Sequence, residues 1–281
     1  MSTTLLSDII LGVEKVWYKP IKNYITTLYV GTHLPSHDVG HHIRVWEICK
    51  ALMFELNECG FLFAKSFVEN AIVASLFHDT GLIVDRSEKH GLASKKFCEQ
   101  FFKENPTFTL SEMDITLDAI EHHDDKSLKE IKSISISEGV SLTRLVSSAD
   151  DLDAYGYIGI YRYLEIYLLR GIQFEEVPKK IMVNLTGRFA NFENYFSTLP
   201  SLVEFHRERY FVTYHFFEIL DKQLSEKRGK NCLEVALFLK ECLIDNQMSI
   251  LQTIDSIKND SSSISIKEFA KNLENEFSEY I

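Results

Sequence analysis

Residues 67–81 restrict the possible fold more than any other stretch, because most of them are apolar or small. Such a run predicts a helix that is buried on all sides. Gly81 at its end predicts a left-handed residue that stops the helix. His78 and Asp79 would then lie on the last turn, where the helix dipole and burial both disfavour a carboxylate. A divalent cation would offset these costs, since imidazole and carboxylate are ordinary metal ligands, whereas a solvated helix end would need none.

The rest of the chain has the same helical character. Apolar residues recur at intervals of three and four, and only 12 glycines and 5 prolines interrupt the 281 residues. This pattern predicts an all-α fold. The predicted helices cover residues 4–30 with a break near Pro20, 39–58, a segment ending at 78–79, 88–104, 111–123, 140–154 and 158–170.

The composition excludes several classes of partner. The net charge of −11 disfavours a nucleic acid polymer. No apolar stretch approaches the length of a membrane-spanning helix, and the first residues do not form a secretion signal. The 5 cysteines are scattered and odd in number, which favours reduced thiols. We therefore expect a cytoplasmic protein without a membrane partner.

Further imidazoles occur at positions that suggest a buried site. His41 precedes Val45 by four residues and Ile48 by seven, which places it on a buried helix face, although a buried histidine is more often part of a hydrogen-bonded core. His42 lies on a neighbouring stripe of the same helix. Periodicity alone does not choose between the two histidines.

Acidic residues and later histidines extend this set. Asp150 and Asp153 belong to three carboxylates within four positions of an otherwise apolar helix. At least one of them is expected to point inward and to need a cation, whereas on a solvated face they would form a plain acidic patch. His90 opens the helix predicted at 88–104, and His122 and His123 end the helix predicted at 111–123.

Taken in order, these residues resemble the HD-domain metal-dependent phosphohydrolase superfamily, and most closely its small stand-alone bacterial branch. The resemblance covers about residues 25–175, and several ordered motifs are far more specific than a lone His-Asp pair. The motifs are His37-Asp-x-x-His41-x-x-Arg44-Val45, His78-Asp79-Thr-Gly81, His90-Gly-x-x-Ser94, Ile120-x-x-His123 or the adjacent His122, and Ala149-Asp150-x-Leu-Asp153-Ala-x-Gly156 followed by Ile158-Gly-Ile-x-Arg162.

The resemblance implies a fold and a set of metal ligands. The fold is an HD-domain helical bundle over residues 1–185. Residues 186–281 lie outside the resemblance, and their periodic apolar residues predict a C-terminal helical extension that packs on the core or mediates a homodimer contact. In the wider superfamily, later histidines can hold a second metal, and His90 and His122 are the candidates here. The divalent metal remains open among Mn, Fe, Mg, Co, Ni and Zn. The ligands implied for the first metal are His41, His78, Asp79 and Asp150.

The implied activity is hydrolysis of a nucleotide or other small phosphoester, in which the metal activates a water molecule. Asp79 would belong to the catalytic centre. His37, one turn before His41, or Asp153, one turn after Asp150, would move the proton.

One position departs from the family pattern. Many members have a lysine directly after the glycine of the His-Asp motif, whereas Leu82 stands here. Phosphate contacts are therefore expected from Arg44, Arg86 and Lys89, although each of these residue types is also common on a solvated surface.

Two other functional classes compete with the phosphohydrolase. Some HD-domain relatives use the same additional histidines to bind two irons and activate oxygen, so a di-iron oxygenase is one alternative. A regulatory module that binds a metal or ligand is the other, and the retention of all four implied ligands argues against it. The metal content of protein purified without chelators, followed by a phosphatase screen, would separate these classes.

Overall fold

The computed structural model describes residues 5–87, 89–125, 134–226, 229–258 and 263–278. Within these ranges the regular structure is helical, which confirms the all-α prediction, and the only ladder-type pairing is an isolated bridge between Ser135 and Gly139. The helices are α1 Leu6–Leu28, α2 Val39–Glu58, α3 Lys65–Phe77, α4 His90–Glu104, α5 Met113–His122, α6 Leu142–Asp153, α7 Gly156–Leu169, α8 Val177–Tyr195, α9 Pro200–Glu226, α10 Asn231–Lys240, α11 Ile250–Lys258 and α12 Ile264–Ser278.

The chain forms two compact units, Met1–Asp150 and Asp151–Ile281. The boundary that the sequence suggested at residue 185 lies inside α8, and it stays a prediction. In the part of the chain that the structure describes, no helix combines the length and apolar composition that spanning a membrane requires. All five cysteines are free thiols.

Helix α3 lies at the centre of the first unit and packs against α1, α2 and α5. Every residue from Asn70 to Phe77 is buried, as the uniformly apolar sequence predicts. Burying one large aliphatic or aromatic side chain stabilises a fold by about 1.5–3 kcal/mol, so this helix anchors the unit. Its C-terminal end therefore holds His78 and Asp79 in a rigid, water-excluded place.

Helix α1 continues through Pro20, so the predicted break at that residue is wrong. A proline inside a helix removes a hydrogen bond and costs about 3 kcal/mol. The apolar face of α1 offsets this cost because it is buried on both sides of the proline. The buried residues of this face are Leu6, Ile10, Val13, Trp17, Ile21 and Ile25.

Gly81 is not the left-handed helix stop that the sequence suggested. It lies in a 3₁₀ turn, Thr80–Ile83, and its φ is not positive. The glycine is required for another reason: a Cβ at this position would lie 2.0 Å from the carbonyl oxygen of His90. The Gly81 N–H also donates to Ser94 Oγ at 2.8 Å. Close contact with the start of α4 therefore explains the glycine.

The second unit is organised around α7, which packs against α8, α9, α10 and α12. The N-terminus of α7 is capped from α12: Glu276 Oε2 accepts from the backbone N–H of Tyr157 at 2.6 Å. Arg209 Nη2 donates to Glu276 Oε1 at 2.6 Å and balances the charge of this nearly buried carboxylate.

Candidate metal centre

Four buried side chains of the first unit converge on one point. One ligand atom from each lies within 4.8 Å of the others. His41 Nε2 is 3.2 Å from Asp79 Oδ2 and 3.5 Å from Asp150 Oδ1. His78 Nε2 is 3.5 Å and 3.8 Å from the same two oxygens. Two imidazoles and two carboxylates in this arrangement form a donor set that a divalent first-row metal accepts.

A second group of ligands shares Asp79 with the first. His90 Nε2 is 2.8 Å and His123 Nε2 is 3.0 Å from Asp79 Oδ1. The two oxygens of one carboxylate therefore face different groups, Oδ2 toward His41 and His78, and Oδ1 toward His90 and His123. A carboxylate in this position can bridge two cations.

Local helix geometry fixes three of the imidazoles in the same way. His78, His90 and His123 each have Nδ1 at 2.8 Å from the carbonyl oxygen of the residue three positions earlier. A carbonyl oxygen only accepts, so each Nδ1 carries the proton. The neutral form of each ring then presents the Nε2 lone pair to the site, as metal ligation requires.

The spacing of the rings tests whether a cation fits. His90 Nε2 and His123 Nε2 are 3.3 Å apart, and His41 Nε2 and His78 Nε2 are 3.0 Å apart. In the His90–His123 pair both neutral rings would direct lone pairs at each other, which is repulsive unless a proton or a metal ion lies nearby. The residues present therefore fit a bound cation.

The charges of the site support this reading. Burial opposes ionisation of Asp79, but His78 and His90 outweigh burial and hold the pKa of this carboxyl well below its usual range. For His90, burial lowers the pKa of the imidazole, but the charge of Asp79 outweighs burial and raises this pKa to about 9. The pKa of His78 is also raised, because Asp79 and Asp150 outweigh its burial. Without metal, His90 thus binds a proton more tightly than a free imidazole does, at a position that a cation would take.

At the end of α5 the structure brings His123, and not His122, to the other ligand atoms. His122, named from the motif as a second-metal ligand, is half-exposed and lies 3.1 Å from Asp118 Oδ1 on the outer face of the helix. His123 is 3 % exposed and reaches Asp79. Adjacent residues on a helix point about 100° apart, and here only His123 faces the other ligand atoms. The spacing of three from the buried Ile120 is a sequence signal that could have pointed to His123.

At the start of α2, His41 and not the adjacent His42 belongs to a ligand group. The Asp38 side chain accepts from the His41 backbone N–H at 3.2 Å and caps the helix there. His42 is fully buried but belongs to neither ligand group, and its Nε2 lies 2.8 Å from the Tyr29 hydroxyl. No sequence motif pointed to Tyr29.

The two candidate proton carriers have different surroundings. His37 is buried, its ring centroid is 5.4 Å from that of His41, and its Nδ1 lies 2.9 Å from Ser36 Oγ. Asp153 belongs to the second unit, where its carboxylate forms a fully buried ion pair with Arg162 at 3.0 Å. Breaking a buried pair leaves an uncompensated charge. Proton transfer by Asp153 would disturb this pair, and the role suggested for it stays a prediction.

The candidate phosphate-binding residues are divided between interior and surface. Arg44 is buried within α2, one turn after His41. Arg86 and Lys89 are exposed in the segment that leads into α4, and Lys89 directly precedes His90.

The sequence profile of the HD domain matches residues 38–155. In this part, which is less than half of the chain, the sequence is similar to the HD-domain superfamily. The matched range contains all six converging ligands and ends shortly after Asp150. Members of this superfamily are typically metal-dependent phosphohydrolases. Comparisons with curated proteins and with solved structures give no significant match.

Proposed function

We propose that the HD domain is a metal-dependent phosphohydrolase that acts on a nucleotide or other small phosphoester. The observation that carries this proposal is the shared carboxylate of Asp79, which faces two buried groups of metal-ligand atoms. A divalent metal bound there would lower the pKa of a water molecule and polarise a phosphoryl oxygen.

The protein residues have separable roles in this proposal. The first ion would be held by His41, His78, Asp79 and Asp150, and a second by Asp79, His90 and His123. The Nδ1 hydrogen bonds of His78, His90 and His123 orient these rings before any ion arrives, so little reorganisation accompanies binding. The burial of all these groups excludes bulk water and strengthens every electrostatic interaction in the site.

Positive charge at the start of α4 suits an anionic substrate. Lys89 and Arg86 are exposed in the segment before His90, where a phosphate could reach them from solvent. The net charge of −11 opposes binding of a long polyanion, so the proposed substrate is a small phosphate compound and not a nucleic acid polymer.

His37 is the best-placed candidate for proton transfer. It is buried beside His41, with its ring edge toward the His41 ring, and belongs to neither ligand group. The contact with the Ser36 hydroxyl fixes the ring orientation, as a proton-transferring imidazole requires.

A di-iron oxygenase is the second candidate, and one observation favours it. The site has two histidines beyond the first group, and both contact the oxygen of Asp79 that faces away from that group. This is the arrangement that an iron pair with a bridging carboxylate needs. The positively charged side chains of Arg86 and Lys89, just before α4, favour the hydrolase, because oxygen activation does not itself require them.

The test is to purify the protein without chelators, measure metal identity and stoichiometry, and screen small phosphoesters for phosphate release. Asp79→Asn should remove bound metal and phosphate release while preserving helix content, because the charge is lost and the shape is kept. Asp114→Asn, at an exposed position of α5, is the matched control and should retain both. Two irons, oxygen consumption with an organic substrate and no phosphate release from any phosphoester would overturn the proposal in favour of the oxygenase.

A further inference from the structure

Tyr29 lies outside the residues matched by the HD-domain profile, yet it reaches the metal centre. It follows the last residue of α1 and is 9 % exposed. Its hydroxyl oxygen is 2.8 Å from Nε2 of His42 and 3.5 Å from the backbone carbonyl oxygen of Asp79. A side chain at the end of α1 therefore contacts His42, which is next to the ligand His41, and also the backbone of Asp79.

His42 is the link between Tyr29 and the ligands. Its ring is fully buried and meets the rings of His41 and His78 at an angle, with centroid distances of 5.5 Å and 5.2 Å. Its Nε2 is directed at Tyr29 and not at the ligand atoms. A rotation of the His42 ring would displace two ligand rings, because the interior around them is close-packed.

We infer that Tyr29 is a positioning residue of the metal centre, acting through His42 on the rings of His41 and His78. The hydroxyl fixes the orientation of the His42 ring, and that ring limits the rotation of its two neighbours. Hydrogen bonds outside the ligand shell typically contribute about 10–100-fold to metal affinity in this way. The C-terminal end of α1 is then part of the functional centre. Residues 38–155, which the HD-domain profile matches, would form an incomplete metal site without it. The inference rests on the metal binding proposed above.

A purely structural role for Tyr29 predicts a different result. A buried hydroxyl paired with an imidazole stabilises the fold wherever it occurs. Removing it would then lower the unfolding temperature and leave the metal affinity of the folded protein unchanged. A positioning role predicts a loss of affinity and a change in the ligand field.

The experiment is a titration of metal-free protein with Co²⁺, followed by visible absorption, for wild type, Tyr29→Phe and Tyr24→Phe. Tyr24 is the matched control because it also lies on α1 and its ring packs against Phe77, next to His78. We expect Tyr29→Phe to lower Co²⁺ affinity about 10–100-fold and to shift the absorption bands at saturation, with Tyr24→Phe within about twofold of wild type. An unchanged affinity and spectrum in Tyr29→Phe overturns the inference, whatever its unfolding temperature.

A second variant tests the route through His42. His42→Phe keeps a ring against the ligands but removes the hydrogen bond to Tyr29, and it serves alone if Tyr29→Phe does not fold. We expect the same loss of Co²⁺ affinity, and no further loss in the double variant, because both changes remove one interaction. Additive losses, or unchanged affinity in His42→Phe, overturn the route. A wild-type protein that binds no Co²⁺ contradicts the proposed function instead, so the two failures are distinguishable.

Discussion

At the scale of single residues, the adjacent histidines at the end of α5 have different surroundings, and we expect their substitutions to affect metal binding differently. His123→Ala should reduce metal stoichiometry from two to one, because it removes a ligand from the group that His90 completes. His122→Ala is the control and should leave the stoichiometry unchanged, since that ring contacts Asp118 on the outer face. Metal analysis of both purified variants checks this. Loss of metal in His122→Ala with retention in His123→Ala would reverse the assignment.

Protons and metal compete for the same imidazoles, which gives a pH dependence with a defined sign. In metal-free protein the pKa of His90 is raised from 6.5 to about 9. This group therefore stabilises the fold below pH 6.5, and the contribution is lost as pH rises through 9. Metal affinity should move the other way and increase by about tenfold per pH unit for each proton displaced.

The measurements for this pH prediction are unfolding temperatures of the metal-free protein and metal titrations between pH 6.5 and 9. His90→Gln should weaken the pH dependence of both quantities. Metal affinity that is flat over this interval would show that the imidazoles are not the competing groups.

At the scale of helices, the packing of α4 against α5 sets the geometry of the second ligand group. A Cβ on Gly91 would lie 2.2 Å from the carbonyl oxygen of Glu121, so Gly91→Ala must push the two helices apart. We expect selective loss of the second metal and destabilisation of about 1–3 kcal/mol. Denaturant unfolding and metal analysis measure the two effects.

Gly12→Ala is the control for this substitution, because nothing lies within 4 Å of the added Cβ on α1. It should leave metal content unchanged and stabilise the protein by about 0.5–1 kcal/mol, since alanine is the better helix former. Full metal content in Gly91→Ala would show that helix spacing does not determine the second group.

At the scale of the whole molecule, we expect the folding of α7 to depend on its contacts with α9. Thr213 Oγ donates to the Gly156 carbonyl oxygen at 2.9 Å, and the Phe217 ring packs against that of Tyr163. A chain ending at residue 185 loses α9 and exposes the buried face of α7, so we expect it to aggregate. Size-exclusion chromatography compares it with the full chain. A soluble fragment that unfolds cooperatively would support the boundary suggested at 185.

The sequence by itself determined the helical class, the buried helix α3 and the ordered residues of the HD motif. These features are local: periodicity reports which face of a helix is buried, and motif spacing reports which residues recur together. His78, Asp79 and Asp150 could therefore be named from the sequence as implied ligands before any contact was known.

The tertiary structure decided what depends on contacts between distant segments. It selected His123 over His122, since a rotation of about 100° separates neighbours on a helix and sequence spacing alone left both open. It showed that Gly81 is required by the approach of α4 and not by its φ angle. It also brought Tyr29 to His42, a pairing that no local pattern encodes, because the meeting of two side chains from different helices is set by how those helices pack.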